Sequence, residues 1–256
     1  MFRKAIVRPP SSTFAQGLTS SDLGVPDLRK ALIQHEAYCE ALRSCGLELT
    51  TLKPDPLFPD STFVEDTAVI AGAAAVITNP GAESRKGEVV EIRSVLAAHI
   101  DRIYRIQPPG TLDGGDICEA DGHFFIGISN RTNEEGAGQL AGFLAKEGYT
   151  SSSVNIRGIE QILHLKSGIA YLGEGNLALI EPFLGMKAFT GSNILRVPPD
   201  ENYAANFIRV NDSVLLADGY PKIVEMIEEL GYQVKLLDMS EYQKMDGGLS
   251  CLSLRF

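Results

Sequence analysis

One pattern recurs along this chain and limits what it can fold into: strand, tight turn, strand, helix, strand. It is clearest at 116–156. Strands read as apolar runs at 116–120 and 123–128 flank Asp121-Gly122, a strong hairpin signal. A helical stretch at 133–147 follows, with Thr132 or Asn133 as N-cap and Gly148 just past its end, then a strand at 152–156. The order returns with strands at 66–70 and 75–79, a helix near 88–99 and a strand near 102–106. It returns again with strands at 207–210 and 213–217 around Asn211-Asp212, a helix at about 221–230 ended by Gly231, and a strand at 233–237. A further hairpin, 168–172 and 177–181, flanks Gly173-Glu174-Gly175, although its helix is hard to see.

The chain ends supply a fifth unit: strands at 251–256 and 2–8, a helix at about 25–44 and a strand at 47–52. Pairing of the C-terminal strand with the N-terminal one would close five units into a ring and remove exposed sheet edges. A doubly wound sheet needs simple strand–helix alternation, and here hairpins intervene. The expected fold is therefore an α/β, five-bladed pseudosymmetric propeller, forming one domain over 1–256.

Composition narrows the function. The chain has 256 residues, 44% hydrophobic and 22% charged, enough apolar side chain to offset the entropy of folding. Its formal charge of −10 argues against nucleic-acid partners, which select clustered Lys and Arg, but suits a small cationic ligand. The longest apolar stretch, 68–77, is interrupted by Gly72 and falls short of the ~20 residues of a membrane span, so no membrane partner is expected. The N-terminal segment has no apolar core of a signal peptide. Cys39, Cys45, Cys118 and Cys251 form no C-x-x-C pair, which points to reduced thiols and a cytoplasmic protein. Cys and His are too scattered for a zinc site, and no phosphate-binding loop is present, so neither metal nor cofactor is expected.

Polar or Gly-rich clusters precede the first strands of the units: Phe63-Val64-Glu65-Asp66, Leu112-Asp113-Gly114-Gly115-Asp116, His164-Leu165-Lys166-Ser167 and Gly247-Gly248-Leu249-Ser250-Cys251. In a pseudosymmetric ring, equivalent strand ends meet at one face, so acids, His and Cys would converge. A lone Cys is most often a small core hydrophobe. Cys251 stands out because it follows two glycines that permit tight backbone geometry near a ligand. A Cys nucleophile, a sequence-distant His and an orienting acid form a known catalytic logic. Cys39, Cys45 and Cys118 read as packing residues, and Asp116 as a turn residue that caps local backbone groups.

The motifs F-V-E-D-T-A-V (63–69), L-D-G-G-D-I (112–117), G-I-S-N-R-T-N (127–133), H-L-K-S (164–167) and G-G-L-S-C (247–251) occur in order across nearly the whole chain. Together they resemble the dimethylarginine dimethylaminohydrolases, guanidino-group-modifying enzymes with the five-bladed α/β-propeller fold. The resemblance implies hydrolysis of N-omega-methylated arginines to citrulline and dimethylamine or methylamine. It implies Cys251 as nucleophile, His164 as general acid/base and Asp113 as the acid orienting the imidazole. Glu65 and Asp66 would surround the substrate guanidinium. Asp60 and the backbone carbonyls of Leu18 and Met245 would receive the α-amino group, and Arg85 and Arg131 the α-carboxylate. Residues 13–23 lie where the family has a lid. The partners this leaves are a small-molecule substrate and, as an assembly, a homodimer.

The chemistry accounts for these residue types. Carboxylates keep a guanidinium planar and charged, hence electrophilic at carbon. The thiolate is the reactive form of Cys, and a bound cation favours it. A His can protonate the departing amine and then activate water. Rival readings are an arginine deiminase, an amidinotransferase and an inactive propeller that only binds arginine-like ligands. Deiminases of this fold carry H-L-D with an Asp on the guanidinium, where this chain has Lys166; they and the amidinotransferases are also longer.

Overall fold

The computed structural model describes residues 1–256. From the N-terminus, β1 (Lys4–Val7), α1 (Leu28–Ser44) and β2 (Glu48–Thr51) come first, with β1 and β2 parallel. Then follow β3 (Ala68–Ala71), β4 (Ala74–Ile77), α2 (Val89–Leu96) and β5 (Arg102–Arg105). The third group is β6 (Ile117–Ala120), β7 (His123–Ile128), α3 (Glu134–Lys146) and β8 (Thr150–Asn155). The fourth is β9 (Ile169–Gly173), β10 (Asn176–Leu179) and β11 (Asn193–Arg196), with no α-helix. The fifth is β12 (Ile208–Val210), β13 (Ser213–Ala217), α4 (Pro221–Glu229) and β14 (Gln233–Leu237); α5 (Ser240–Gln243) and β15 (Ser253–Arg255) complete the chain.

These strands make five three-stranded sheets of one design: an antiparallel partner on one side of the central strand and a parallel one on the other. β15 pairs antiparallel with β1, Ala5 opposite Arg255, so the first sheet is built from both chain ends as the sequence suggests. The fold class is the expected five-bladed α/β-propeller. The chain divides into two compact units, Met1–Val64 with Val197–Phe256, and Glu65–Arg196. The first holds the sheets of β1 and β13, the second those of β4, β7 and β10.

Local chemistry sets the elements. Asp27 caps α1, its carboxylate accepting the Arg29 and Lys30 N–H groups, so the helix begins three residues later than the pattern suggested. Asn133 caps α3 through the Gly136 N–H, with Glu134 and Glu135 in the first turn and Lys146 in the last, matching the helix dipole. The Asp121-Gly122 turn places both residues at positive φ, 48° and 79°, as a two-residue hairpin loop demands. The fourth group lacks its helix because Pro182, Gly185 and Gly191 break the segment; it forms short 3-10 turns, Glu181–Phe183 and Lys187–Phe189.

The polar clusters precede strands, as expected. Each occupies a 3-10 turn just ahead of one: Val64–Thr67, Gly114–Asp116, Leu165–Ser167 and Ser250–Leu252. The last strand is accordingly shorter than 251–256, and Cys251 lies on the turn. In the first unit Phe14, Phe63 and Tyr242 pack as an aromatic trio, and buried Tyr38 hydrogen-bonds Ser253 at 2.6 Å. In the second, Ile106, Leu112, Phe124, Leu140 and Leu144 form the core between α3 and its sheet.

Asn211, at φ 56° in the β12–β13 turn, ties three backbone groups: it accepts from Phe2 N–H and donates to the carbonyls of Phe2 and Cys45. Asn211→Ala is expected to lower the unfolding free energy by about 3 kcal/mol in urea denaturation, near 1 for each lost hydrogen bond. Asn211→Gly, which relieves the left-handed backbone, is expected to lose roughly 1 kcal/mol less. An Ala variant as stable as the parent would show that the tie contributes nothing.

Candidate active site

In the second unit a buried charge network surrounds His164. Asp113, fully buried, sits before the Gly114–Asp116 turn; its Oδ2 is 3.0 Å from His164 Nε2 and its Oδ1 accepts the Gly81 N–H at 2.8 Å. Asp66 Oδ1 accepts the Gly115 N–H at 2.8 Å and lies 4.0 Å from His164 Nε2. Asp66 Oδ2 takes Arg85 Nη1 at 2.5 Å, and Glu88 takes the Nε and Nη2 side of the same guanidinium. Space is tight: a Cβ on Gly115 would lie 2.8 Å from both His164 Nδ1 and Asp66 Oδ1, so the L-D-G-G-D stretch needs glycine there to let backbone reach imidazole.

This surrounding decides protonation. Burial disfavours an imidazolium, but Asp66, Asp113 and Asp116 outweigh it and raise His164 to about 9. Burial likewise works against ionised Asp66, yet His164 and Arg85 hold its carboxyl below the usual range. At neutral pH the network is therefore an imidazolium among carboxylates, a proton donor in waiting. Donor atoms of Asp66, Asp113 and His164 lie within 4.8 Å of one another, close enough for a hard cation. The carboxylates, however, already hold Arg85, backbone N–H groups and His164, so cationic partners of the protein fill that role.

Lys166, two residues past His164, places Nζ 2.5 Å from Glu65 Oε1. Arg131 is half-buried, in the loop after β7, its N–H donated to Ser129 Oγ.

The first unit holds the other expected residues. The Cys251 N–H donates to the Gly248 carbonyl at 3.2 Å, and the Ser250 N–H to Asn206 Oδ1 at 2.9 Å. Tyr203 Oη donates to the Gly247 carbonyl at 2.9 Å. A Cβ on Gly248 would come within 2.5 Å of Asn206, the close approach that the paired glycines suggested. Cys251 keeps 9% of its surface exposed, against 1% for Cys39 and 5% for Cys118. Burial pushes those two thiols up to about 12, so they pack rather than react. None of the four cysteines is disulfide-bonded. Leu18, Asp60 and Met245 come together: both Asp60 oxygens accept the Leu18 N–H, at 3.0 and 3.3 Å, while Thr19 and Ser20 bind Lys244 and Asp246 on either side of Met245. Segment 13–23 is thus fastened at residues 18–20.

Over its full length the chain is 48% identical to a dimethylarginine dimethylaminohydrolase from Pseudomonas aeruginosa, 257 aligned residues covering 100% of both proteins. It belongs to the dimethylarginine dimethylaminohydrolase family. Two solved members at 47% identity cover 100% of each chain. The Pseudomonas aeruginosa enzyme in complex with citrulline superposes with a TM-score of 0.97, and a dimethylarginine dimethylaminohydrolase adduct with S-methyl-L-thiocitrulline with 0.96. No family model matches the chain.

Within this family member, the second unit brings His164, Asp113, Asp66 and Arg85 into one network, with Glu65 held by Lys166. The first unit groups Leu18, Asp60 and Met245, and holds Cys251 on its own turn. Sequence reading gave Arg85 a place beside Arg131 on a substrate carboxylate; in the structure its donors go to Asp66 and Glu88. It missed Glu88, for which the i,i+3 spacing to Arg85 was the available signal. It also missed Asn206 and Tyr203, which no motif marks.

Because folded protein holds the His164 proton more tightly than the unfolded chain, its contribution to stability is full below the ordinary imidazole value of 6.5. That contribution is lost as pH rises through about 9. His164 is expected to titrate near 9 by proton NMR. Stability should fall across that window more steeply in the parent than in His164→Asn. Parallel stability curves, or a midpoint below 7, would contradict the network described.

Proposed function

We propose that this chain hydrolyses asymmetric dimethylarginine and monomethylarginine to citrulline and the corresponding amine, with Cys251 forming a covalent intermediate. The observation that carries the reading is a buried His164 kept protonated by Asp66 and Asp113 in a member of this family. Asp66 and Glu65 hold the substrate guanidinium. The Cys251 thiolate adds to its central carbon, and the imidazolium of His164 gives its proton to the methylated nitrogen. The C–N bond breaks, the amine departs, and an S-alkylthiouronium remains on Cys251. Neutral His164 then takes a proton from water as the oxygen adds to the same carbon. The C–S bond breaks and the added hydroxyl gives up its remaining proton to solvent, where the departed amine takes one up, returning thiolate and citrulline. Asp113 holds the imidazole through both steps. The atoms balance with water as the only co-reactant, so the scheme calls on no metal or cofactor.

Leu18, Asp60 and Met245 receive the α-amino group, and Arg131 with Arg85 the α-carboxylate. The half-buried position of Arg131 supports its part, and the grip of Glu88 supports Arg85 as a fixed charge rather than a mobile one. On this reading 1–256 is a single catalytic domain. No helix is long and apolar enough to cross a membrane. Four cysteines outside any disulfide suit a reducing cytoplasm. A homodimer is proposed, in which a second copy would cover the exposed Leu32 and Ile33 side chains of α1; sedimentation velocity at two protein concentrations tests it.

The Lys166–Glu65 pair favours methylated arginine over arginine. Lys166 occupies one Glu65 oxygen, leaving fewer acceptors for substrate N–H groups, and methylation removes those donors. Asymmetric dimethylarginine or monomethylarginine is expected to exceed arginine in kcat/KM by roughly tenfold or more. Symmetric dimethylarginine should be poor. Arginine winning by that margin would make the chain a compact deiminase.

Cys251→Ser should fold, bind substrate and lose turnover; near-parental turnover would remove Cys251 from the mechanism. Arg131→Ala should lower kcat/KM on the amino acid by the equivalent of ~2–5 kcal/mol. An unchanged value would assign the carboxylate elsewhere.

A further inference from the structure

Asp116 has no place in the reaction as written, yet it is fully buried and its carboxylate has three partners, all of them donors. We propose that Asp116 is a positioning residue that holds His164, Asp113 and the Arg131 loop in register through one buried carboxylate. The roles of those three rest on the hydrolase reading; the hydrogen bonds that join them do not.

Three segments meet on this side chain. Oδ1 accepts the Leu165 N–H at 3.0 Å, which fixes the peptide that follows His164. Oδ2 accepts both the Ser129 and Thr132 hydroxyls at 2.6 Å. Each hydroxyl is oriented by what it accepts in turn. Ser129 Oγ takes the N–H groups of Arg131 and Thr132, at 2.9 and 3.0 Å. Thr132 Oγ1 takes the Asp113 N–H at 3.1 Å. With those lone pairs engaged, both hydroxyl protons turn to Asp116. One carboxylate thereby sets the backbone of Asp113, which grips the imidazole, of His164, which carries it, and of Arg131 three residues before α3.

Partners that are all donors call for an ionised acid. Burial pushes the Asp116 carboxyl up, while His164, Ser129, Thr132 and the Leu165 N–H pull it back. Its charge also helps raise His164. The charged groups around that imidazole are then Asp66 from the Val64–Thr67 turn, Asp113 and Asp116 from either end of the Gly114–Asp116 turn, Arg85 behind Asp66, and the Lys166–Glu65 pair. A turn cap of ordinary kind would touch only its own loop; Asp116 reaches residues 13, 16 and 49 positions away in sequence.

The test compares Asp116→Asn, Thr132→Val and Thr132→Ser in the full chain. It reads melting temperature, kcat and KM on asymmetric dimethylarginine, and the His164 titration by proton NMR. Asn keeps the shape but replaces one acceptor oxygen with an N–H2 donor, which then faces either the Leu165 N–H or the two hydroxyls. Expected for Asp116→Asn is a kcat lower by roughly 100-fold, the scale of a ~1 Å misplacement, with KM raised as the Arg131 loop shifts. The His164 midpoint should move down by about one pH unit. Thr132→Val, which removes one hydroxyl and keeps the charge, should lower kcat about tenfold, and Thr132→Ser should restore it. Should Asp116→Asn fail to fold, the Thr132 pair decides alone. Variants that melt earlier but keep parental kcat, KM and His164 titration would overturn the proposal and leave Asp116 a structural cap. Failure of the hydrolase reading would show separately, as an inactive parent whose His164 titration still responds to Asp116→Asn.

Discussion

A single buried charge organises the second unit. An imidazolium at 6% exposure is costly unless carboxylates surround it, and His164 has Asp113 in contact and Asp66 close by. Asp113 and Asp66, with Asp116 further off, bring more negative charge than one imidazolium carries, and Arg85 offsets part of it from behind Asp66 while Glu88 holds its far side. The chain of alternating charges is self-consistent only as a whole. That constraint reaches the backbone: Gly115 has no side chain because His164 and Asp66 fill the place where one would stand.

The same logic separates the cysteines. Cys39 and Cys118 sit in apolar surroundings that favour the thiol, and they behave as small core residues. Cys251 stands on a turn whose backbone is pinned from outside the turn by Asn206 and Tyr203. Position of this kind is what a nucleophile requires, since reactivity falls steeply with small displacements. In the first unit Asp60 is committed to the Leu18 N–H, so the segment expected to act as a lid is fastened by a buried acid.

Much of this was legible in the residues. The hairpin at Asp121-Gly122, the N-cap at Asn133 and the strand–strand–helix–strand rhythm follow from local propensity, which the folded chain obeys. The recurring polar clusters ahead of the strands marked four equivalent turns. The fourth helix could not be seen because it is not there: Pro182, Gly185 and Gly191 had already forbidden it. Lys166 was read as a missing acceptor; only coordinates reveal that it also occupies Glu65.

The sequence by itself determined the repeat, the turn chemistry, the family motifs and the residue types able to carry the reaction, because these depend on neighbours within a few positions. Tertiary structure decided the charge state of His164, the partners of Arg85 and the three-way attachment of Asp116. Those properties arise from groups tens of residues apart, brought into a buried medium where each charge is set by what lies within a few ångströms. Asp116 makes the difference plain. In sequence it is one more acid after two glycines; folded, it joins Ser129, Thr132 and Leu165 through a single carboxylate.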